Sequence, residues 1–156
     1  MSPDLPATPE NHPESVRLLA TTLRTLDEAH RRYRLHAAKV IGLGHTELSA
    51  LVAIGEAPGL TPGALSHELL LSTGATTAVV DRLERSGQVA RTRHPDDRRS
   101  LFLHLTPLGE ATTGTLTEAY QYVLSTTGTD ETIADALPQL DAIAAALDAA
   151  SREPAS

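Results

Sequence analysis

The stretch Gly87–Gly109, reading GQVARTRHPDDRRSLFLHLTPLG, constrains this chain more than any other. Apolar and polar residues alternate over Gln88–Arg93, the chain turns at Pro95-Asp96-Asp97, and alternation resumes over Ser100–Leu105. Period-two alternation on both sides of a Pro-Asp turn specifies a β-hairpin. Helix signals flank it on both sides, and its tip carries Arg98 and Arg99 beside Asp96 and Asp97. A rigid ribbon that presents arginines beyond a helix is suited to reaching a nucleic-acid groove.

The helices around this hairpin set its context. From Glu14 to about Ile41, Val16, Leu19, Leu23, Leu26, His30, Tyr33, Ala37 and Val40 recur at three- and four-residue spacing, the seam of a coiled-coil-like contact. Gly42 and Gly44 end that helix. A second helix runs from His45 to Glu56, with Leu48, Leu51 and Val52 turned inward, and Pro58-Gly59 breaks it. Thr61-Pro62 is an N-cap followed by a first-turn proline and opens a short helix to about Leu69. Ser72 caps a fourth helix that Gly87 ends. After the hairpin, Thr106-Pro107 opens a fifth helix, whose threonines at 112, 113, 115 and 117 are poor helix formers, so that packing must hold it. A last helix over Asp130–Ala150 spaces Ile133, Leu137, Leu140, Ala144 and Leu147 like a heptad seam, and Pro138 is expected to kink or split it near Leu137.

A helix–turn–helix followed by such a hairpin is a winged helix. The fold class is mainly α with a small β-hairpin wing, flanked by N- and C-terminal helices that form a dimerisation region. Residues 1–13, with four prolines, read as a disordered arm, 14–41 as the N-terminal dimerisation helix, 42–106 as the winged domain, 107–151 as C-terminal dimerisation helices and 152–156 as a tail. Neither terminal seam can be buried on the small middle domain alone, which points to a homodimer in which the first, fifth and last helices of two copies interlock.

The formal net charge of −7 argues against a nucleic-acid partner until its distribution is considered. No Lys or Arg lies between Lys39 and Arg82, or between Arg99 and Arg152. Residues 82–99 hold six arginines (82, 85, 91, 93, 98 and 99) against Glu84, Asp96 and Asp97, a local excess of positive charge that can bind phosphates. With no cysteine there is no disulfide, thiol redox chemistry or Cys-ligated zinc, which suits a reducing cytoplasm. No apolar run reaches membrane-spanning length, and the N-terminus lacks the basic and apolar regions of a signal peptide. His94-Pro95-Asp96-Asp97 reads as a turn rather than a metal site, and no cofactor is implied. The absence of a nucleophile–base pair, a phosphate-cradling loop or clustered carboxylates argues against an enzyme.

Leu83-Glu-Arg-Ser-Gly87-Gln-Val-Ala-Arg91, then Pro95-Asp-Asp97-Arg98-Arg99 and Leu105-Thr106-Pro107-Leu-Gly109, resembles the MarR (multiple antibiotic resistance regulator) family. The resemblance is strongest over residues 60–110. It implies a cytoplasmic, homodimeric winged-helix transcription factor that binds a pseudo-palindromic operator in double-stranded DNA, often a repressor released by a small-molecule effector. It assigns residues 72–86 to the recognition helix in the major groove, with Ser72, Thr73, Ala75, Thr76 and Thr77 facing the groove. Thr61 opens the supporting helix at a phosphate, and Arg99 is the wing arginine in the minor groove, held by Asp97. Arg98 contacts phosphate or pairs with Asp96, while phosphate contact and structural pairing are rival roles for Arg82. The family's effectors lie between the first, second and fifth helices, which here puts His30, Tyr33, His45 and Tyr120 or Tyr122 around a pocket.

The chain departs from the family pattern in three places, one of them Gly44, where the family often caps the second helix with Thr or Ser. His94 stands where the family usually has Asp, and the groove-facing set contains no Arg, Asn or Gln. Short hydroxyl and methyl side chains give no bidentate base reading, so the wing is expected to carry more of the recognition. That weak recognition-helix chemistry also motivates the rival reading, a winged-helix protein-interaction module without DNA binding.

Overall fold

A computed structural model of the chain describes residues 12–93 and 101–152. The elements are α1 (Glu14–Val40), α2 (His45–Glu56), α3 (Pro62–Glu68), α4 (Thr73–Arg85), β1 (Val89–Arg93), β2 (Leu101–Leu105), α5 (Pro107–Ser125) and α6 (Asp130–Arg152). They divide into two compact units, Thr25–Tyr120 and the remaining described residues, 12–24 with 121–152. The first unit thus takes in part of α1 and most of α5 as well as the segment between them.

Local chemistry explains the helix ends. Thr61 and Ser72 accept hydrogen bonds from the amides of Ala64 and Ala75, at 3.2 and 3.3 Å, and so cap α3 and α4. Gly44 has no side chain to cap α2, so Glu47 reaches back and its Oε2 accepts from the Gly44 amide at 2.8 Å. Gly42 and Gly87 take left-handed conformations after α1 and α4, as a helix-ending glycine does.

The core of the first unit is built from Ala50, Leu51, Ala53 and Ile54 of α2, Leu65 of α3, Val79, Val80 and Leu83 of α4, Val89 of β1 and Leu103 of β2. On α2, Leu48 and Leu51 turn inward as expected, but Val52 lies at the surface and Ala53 and Ile54 fill the core instead. The hairpin pairs antiparallel in the register Val89↔Leu105, Arg91↔Leu103 and Arg93↔Leu101. Leu60 adds a bridge to Leu103, whose amide donates to the Leu60 carbonyl at 2.8 Å.

The segment Leu105-Thr106-Pro107-Leu108-Gly109 anchors the base of the wing. The Thr106 hydroxyl donates to the Gly87 carbonyl at 2.5 Å, its oxygen accepts from the Gly109 amide at 3.1 Å, and the Thr106 amide donates to the Gln88 carbonyl at 3.0 Å. A Cβ at position 109 would lie 2.1 Å from the Gln88 carbonyl oxygen, so only glycine allows this approach. The threonines of α5 satisfy themselves locally: the hydroxyls of Thr112, Thr113 and Thr115 donate to the carbonyls of Leu108, Gly109 and Ala111 at 2.8–3.0 Å.

In the second unit, α6 runs unbroken through Pro138, so the expected split near Leu137 does not occur. Val16, Leu18 and Leu19 of α1, Tyr122, Val123 and Leu124 of α5, and Leu137, Leu140 and Leu147 of α6 are all exposed.

Candidate nucleic-acid interface

α4 presents two faces. Thr76, Val79, Val80 and Leu83 are buried, while Ser72, Thr73, Gly74, Ala75, Thr77 and Ala78 are exposed at its N-terminal end. Thr76 therefore does not belong to the groove-facing set. It is 1% exposed, and its hydroxyl donates to the Ser72 carbonyl at 3.1 Å. The reason is periodicity: Thr76 lies three and four residues before Val79 and Val80, on the stripe that packs on the core. Thr77 is exposed, and its hydroxyl donates to the Thr73 carbonyl at 2.9 Å.

The arginines around α4 divide into paired and unpaired. The Nη2 of Arg91 donates to Asp81 Oδ1 at 2.6 Å and its Nη1 donates to Glu84, so two carboxylates of α4 hold one guanidinium of β1. Arg82 donates through Nε to Glu47, the residue that also caps α2. Its structural pairing is thus observed, and Glu47 ties the start of α2 to the end of α4. The Gly44 amide, and then the Arg82 guanidinium, hold the Glu47 carboxyl below its ordinary range, against the opposing effect of burial.

Part of the local positive charge is consequently spent inside the fold. Among the described residues, the exposed Arg85 and Arg93 have no carboxylate partner, and Arg85 donates to the Asp81 carbonyl at 3.2 Å. Thr61 is half-buried and its hydroxyl oxygen is occupied by the Ala64 amide. Asp97, Arg98 and Arg99, together with His94, lie outside the described residues, as do residues 1–11 of the N-terminal arm.

Three of the four residues expected around an effector pocket meet in a groove of about 520 Å³ within the first unit. The rings of His30 and Tyr120 stack with centroids 5.3 Å apart and planes 6° from parallel, and Tyr33 tilts against Tyr120 at 5.6 Å. Leu48, Val52, Leu69 and Leu116 line the same groove. His45 does not line it. Its position at the start of α2 places it elsewhere, where its Nε2 is buried without a hydrogen-bond partner among the described residues. Among those residues no cluster of His, Asp and Glu forms a metal site, and no single helix is long and apolar enough to cross a membrane.

Residues 43–101 match the model of the MarR family. Over 67 residues the chain is 45% identical to the HTH-type transcriptional regulator YcgE of Bacillus subtilis, a match covering 43% of this chain and 44% of that protein. Over 66 residues it is 36% identical to the multiple antibiotic resistance protein MarR of Salmonella typhimurium, covering 42% and 46%. The matches thus span less than half the length of these relatives. The fold extends further: a MarR family protein from Bacillus stearothermophilus superposes with a TM-score of 0.77 at 26% identity, covering 91% of this chain and 99% of that one. Streptococcus pneumoniae FabT, solved in complex with DNA, superposes with a TM-score of 0.66 at 24% identity, covering 86% and 98%. Residues 43–101 thus carry the MarR family match, and the chain has the winged helix–turn–helix fold of the MarR family protein from Bacillus stearothermophilus.

Proposed function

We propose that the chain is a homodimeric DNA-binding transcriptional regulator that reads a pseudo-palindromic operator. The observation that carries this reading is the exposed N-terminal face of α4, joined to the wing strand through Arg91, Asp81 and Glu84. α4 enters the major groove with Ser72, Thr73, Ala75 and Thr77 toward the bases, and Thr61 approaches a phosphate. The hairpin carries Arg98 and Arg99 to the flanking minor groove, whose negative potential attracts a guanidinium, and Asp97 orients Arg99. Two copies place their recognition helices about 34–36 Å apart, one turn of the duplex. The exposed apolar residues of α1, α5 and α6 supply the contact between copies.

The chain acts as a repressor that a small molecule releases. The His30, Tyr33 and Tyr120 groove, with apolar and aromatic walls and the charged Arg34, Glu56 and Glu68 in its lining, has the size of a small-ligand site. A ligand there shifts the spacing of the two DNA-binding lobes only insofar as it binds one spacing more tightly.

An anisotropy titration of the full chain, against a duplex selected by the protein from a randomised pool, tests this at two salt concentrations. Binding that weakens with salt and that Arg99→Ala weakens strongly is the expected result. Enrichment of no duplex overturns it in favour of a protein-interaction module.

A further inference from the structure

Three helices end in the same backbone motif, in which one residue takes a left-handed conformation and the next amide bonds back across the last turn. After α1 that residue is Gly42, at φ 75°, and the Leu43 amide donates to the Ala38 carbonyl at 2.9 Å. After α4 it is Gly87, at φ 74°, and the Gln88 amide donates to the Leu83 carbonyl at 2.9 Å. After α3 it is Leu70, at φ 53°, with the Leu71 amide donating to the Ser66 carbonyl at 2.9 Å. Glycine adopts this conformation freely, whereas an L side chain brings its Cβ against the backbone.

Among the described residues, no packing of the Leu70 side chain offsets that strain. Leu70 is 90% exposed, more than any other large apolar side chain described, while its neighbours Leu69 and Leu71 pack against the core. The turn is also held firmly, since the Ser66 hydroxyl donates to the Leu71 carbonyl at 2.6 Å. A leucine fixed in a strained conformation with its side chain in solvent presents its isobutyl group to a partner outside the chain rather than to the core.

We propose that Leu70 is a DNA-contact residue that packs its isobutyl group against thymine methyl groups at the edge of the major groove. It stands two residues before Ser72, the N-cap of α4, and so adjoins the face assigned to base contact. That face offers Ser72, Thr73, Gly74, Ala75, Thr77 and Ala78, with no large apolar group. The thymine methyl is the apolar feature that the major groove displays, and a side chain without hydrogen-bonding atoms selects for it. This inference rests on the reading of α4 as the recognition helix.

The test uses the full-length chain, Leu70→Gly and the duplex enriched by the wild type from a randomised pool. Leu70→Gly keeps the left-handed conformation and is expected to melt at the same temperature or higher, yet to bind the duplex about three- to fivefold more weakly, the value of one buried methyl group. Replacing thymines by deoxyuridine one at a time is expected to weaken the wild type at one position per half-site and to leave Leu70→Gly unaffected there. Equal affinity of the two proteins, or an equal response to deoxyuridine at every position, overturns the role of Leu70 while leaving the DNA reading intact. If no duplex is enriched, the DNA reading falls and this inference falls with it.

Discussion

Arg91 of β1 donates to Asp81 of α4 at 2.6 Å and shares its second terminal nitrogen with Glu84, so the wing strand is clamped to α4 through one guanidinium. Arg91 is one of the arginines that make residues 82–99 basic, yet its charge is satisfied within the fold. In the proposed complex with DNA its contribution is therefore geometric. It fixes the angle at which the hairpin leaves α4.

Arg91→Ala is accordingly expected to cost about 1 kcal/mol in stability, as for a partly exposed ion pair, and to leave the fold intact. Duplex affinity is expected to fall although the residue touches no DNA, because the wing loses its fixed direction. Urea unfolding and an anisotropy titration on the same preparation separate the two effects. An unchanged affinity would show that the hairpin is held well enough by Thr106 and Leu103 alone.

The Glu47–Arg82 link makes a pH-dependent prediction. Hydrogen bonding to the Gly44 amide and the Arg82 guanidinium holds the Glu47 carboxyl below its ordinary value of 4.5. The unfolded chain therefore takes up this proton more readily, and the contribution to stability is full above that value and fades as pH falls through the folded value. Glu47→Gln should lower the urea midpoint at about pH 7 and converge on the wild type in acid, once pH has fallen below the folded value. The difference should stay near or below about 1 kcal/mol, because the Arg82 side chain is exposed enough for water to screen the pair. A gap that persists unchanged in acid would assign the loss to packing rather than charge.

Thr76 and Thr77 are neighbours with opposite fates, and substituting each by valine separates them. Thr76→Val keeps the shape of a buried side chain but loses the bond to the Ser72 carbonyl, with an expected stability cost of about 1 kcal/mol and little effect on DNA. Thr77→Val removes an exposed hydroxyl and should alter duplex affinity with stability unchanged. A reversed pattern in thermal melting and anisotropy would mean that α4 is rotated about its axis relative to the stripe of Val79, Val80 and Leu83.

That pair also shows what is legible in the sequence. Helix starts at Thr61-Pro62 and Ser72, the glycine stop at Gly87 and the hairpin strands are encoded locally, by caps, by left-handed glycines and by period-two alternation, so they can be read one segment at a time. The rotation of α4 is not local. Ser72, Thr73, Ala75, Thr76 and Thr77 are all small, and only their register against Val79, Val80 and Leu83 buries Thr76. The same limit applies to charge. Residues 82–99 read as basic because Asp81 and Glu47, which neutralise Arg91 and Arg82, lie outside that window and meet them through tertiary packing. Helix membership alone groups His45 with His30, Tyr33 and Tyr120, whereas its place at the first turn of α2 takes it off the groove. The Leu70 strain carries a readable signal, since a leucine stands where the ends of α1 and α4 have glycine.

Two glycines close to α4 should respond to alanine in opposite directions. At Gly109 the new methyl would lie 2.1 Å from the Gln88 carbonyl oxygen, in backbone that cannot yield without opening the base of the wing. Gly109→Ala is therefore expected to destabilise by about 3 kcal/mol and to lower the melting temperature by many degrees. At Gly74 no atom lies within 4 Å of the place an added methyl would take, and the residue sits inside the first turn of α4. Gly74→Ala should therefore raise stability by about 0.5–1 kcal/mol. Its effect on duplex binding is the informative part. A stabilised variant that binds more weakly would show that the bare backbone at Gly74 lies against the duplex, whereas unchanged binding would place the contacts on Ser72, Thr73 and Thr77.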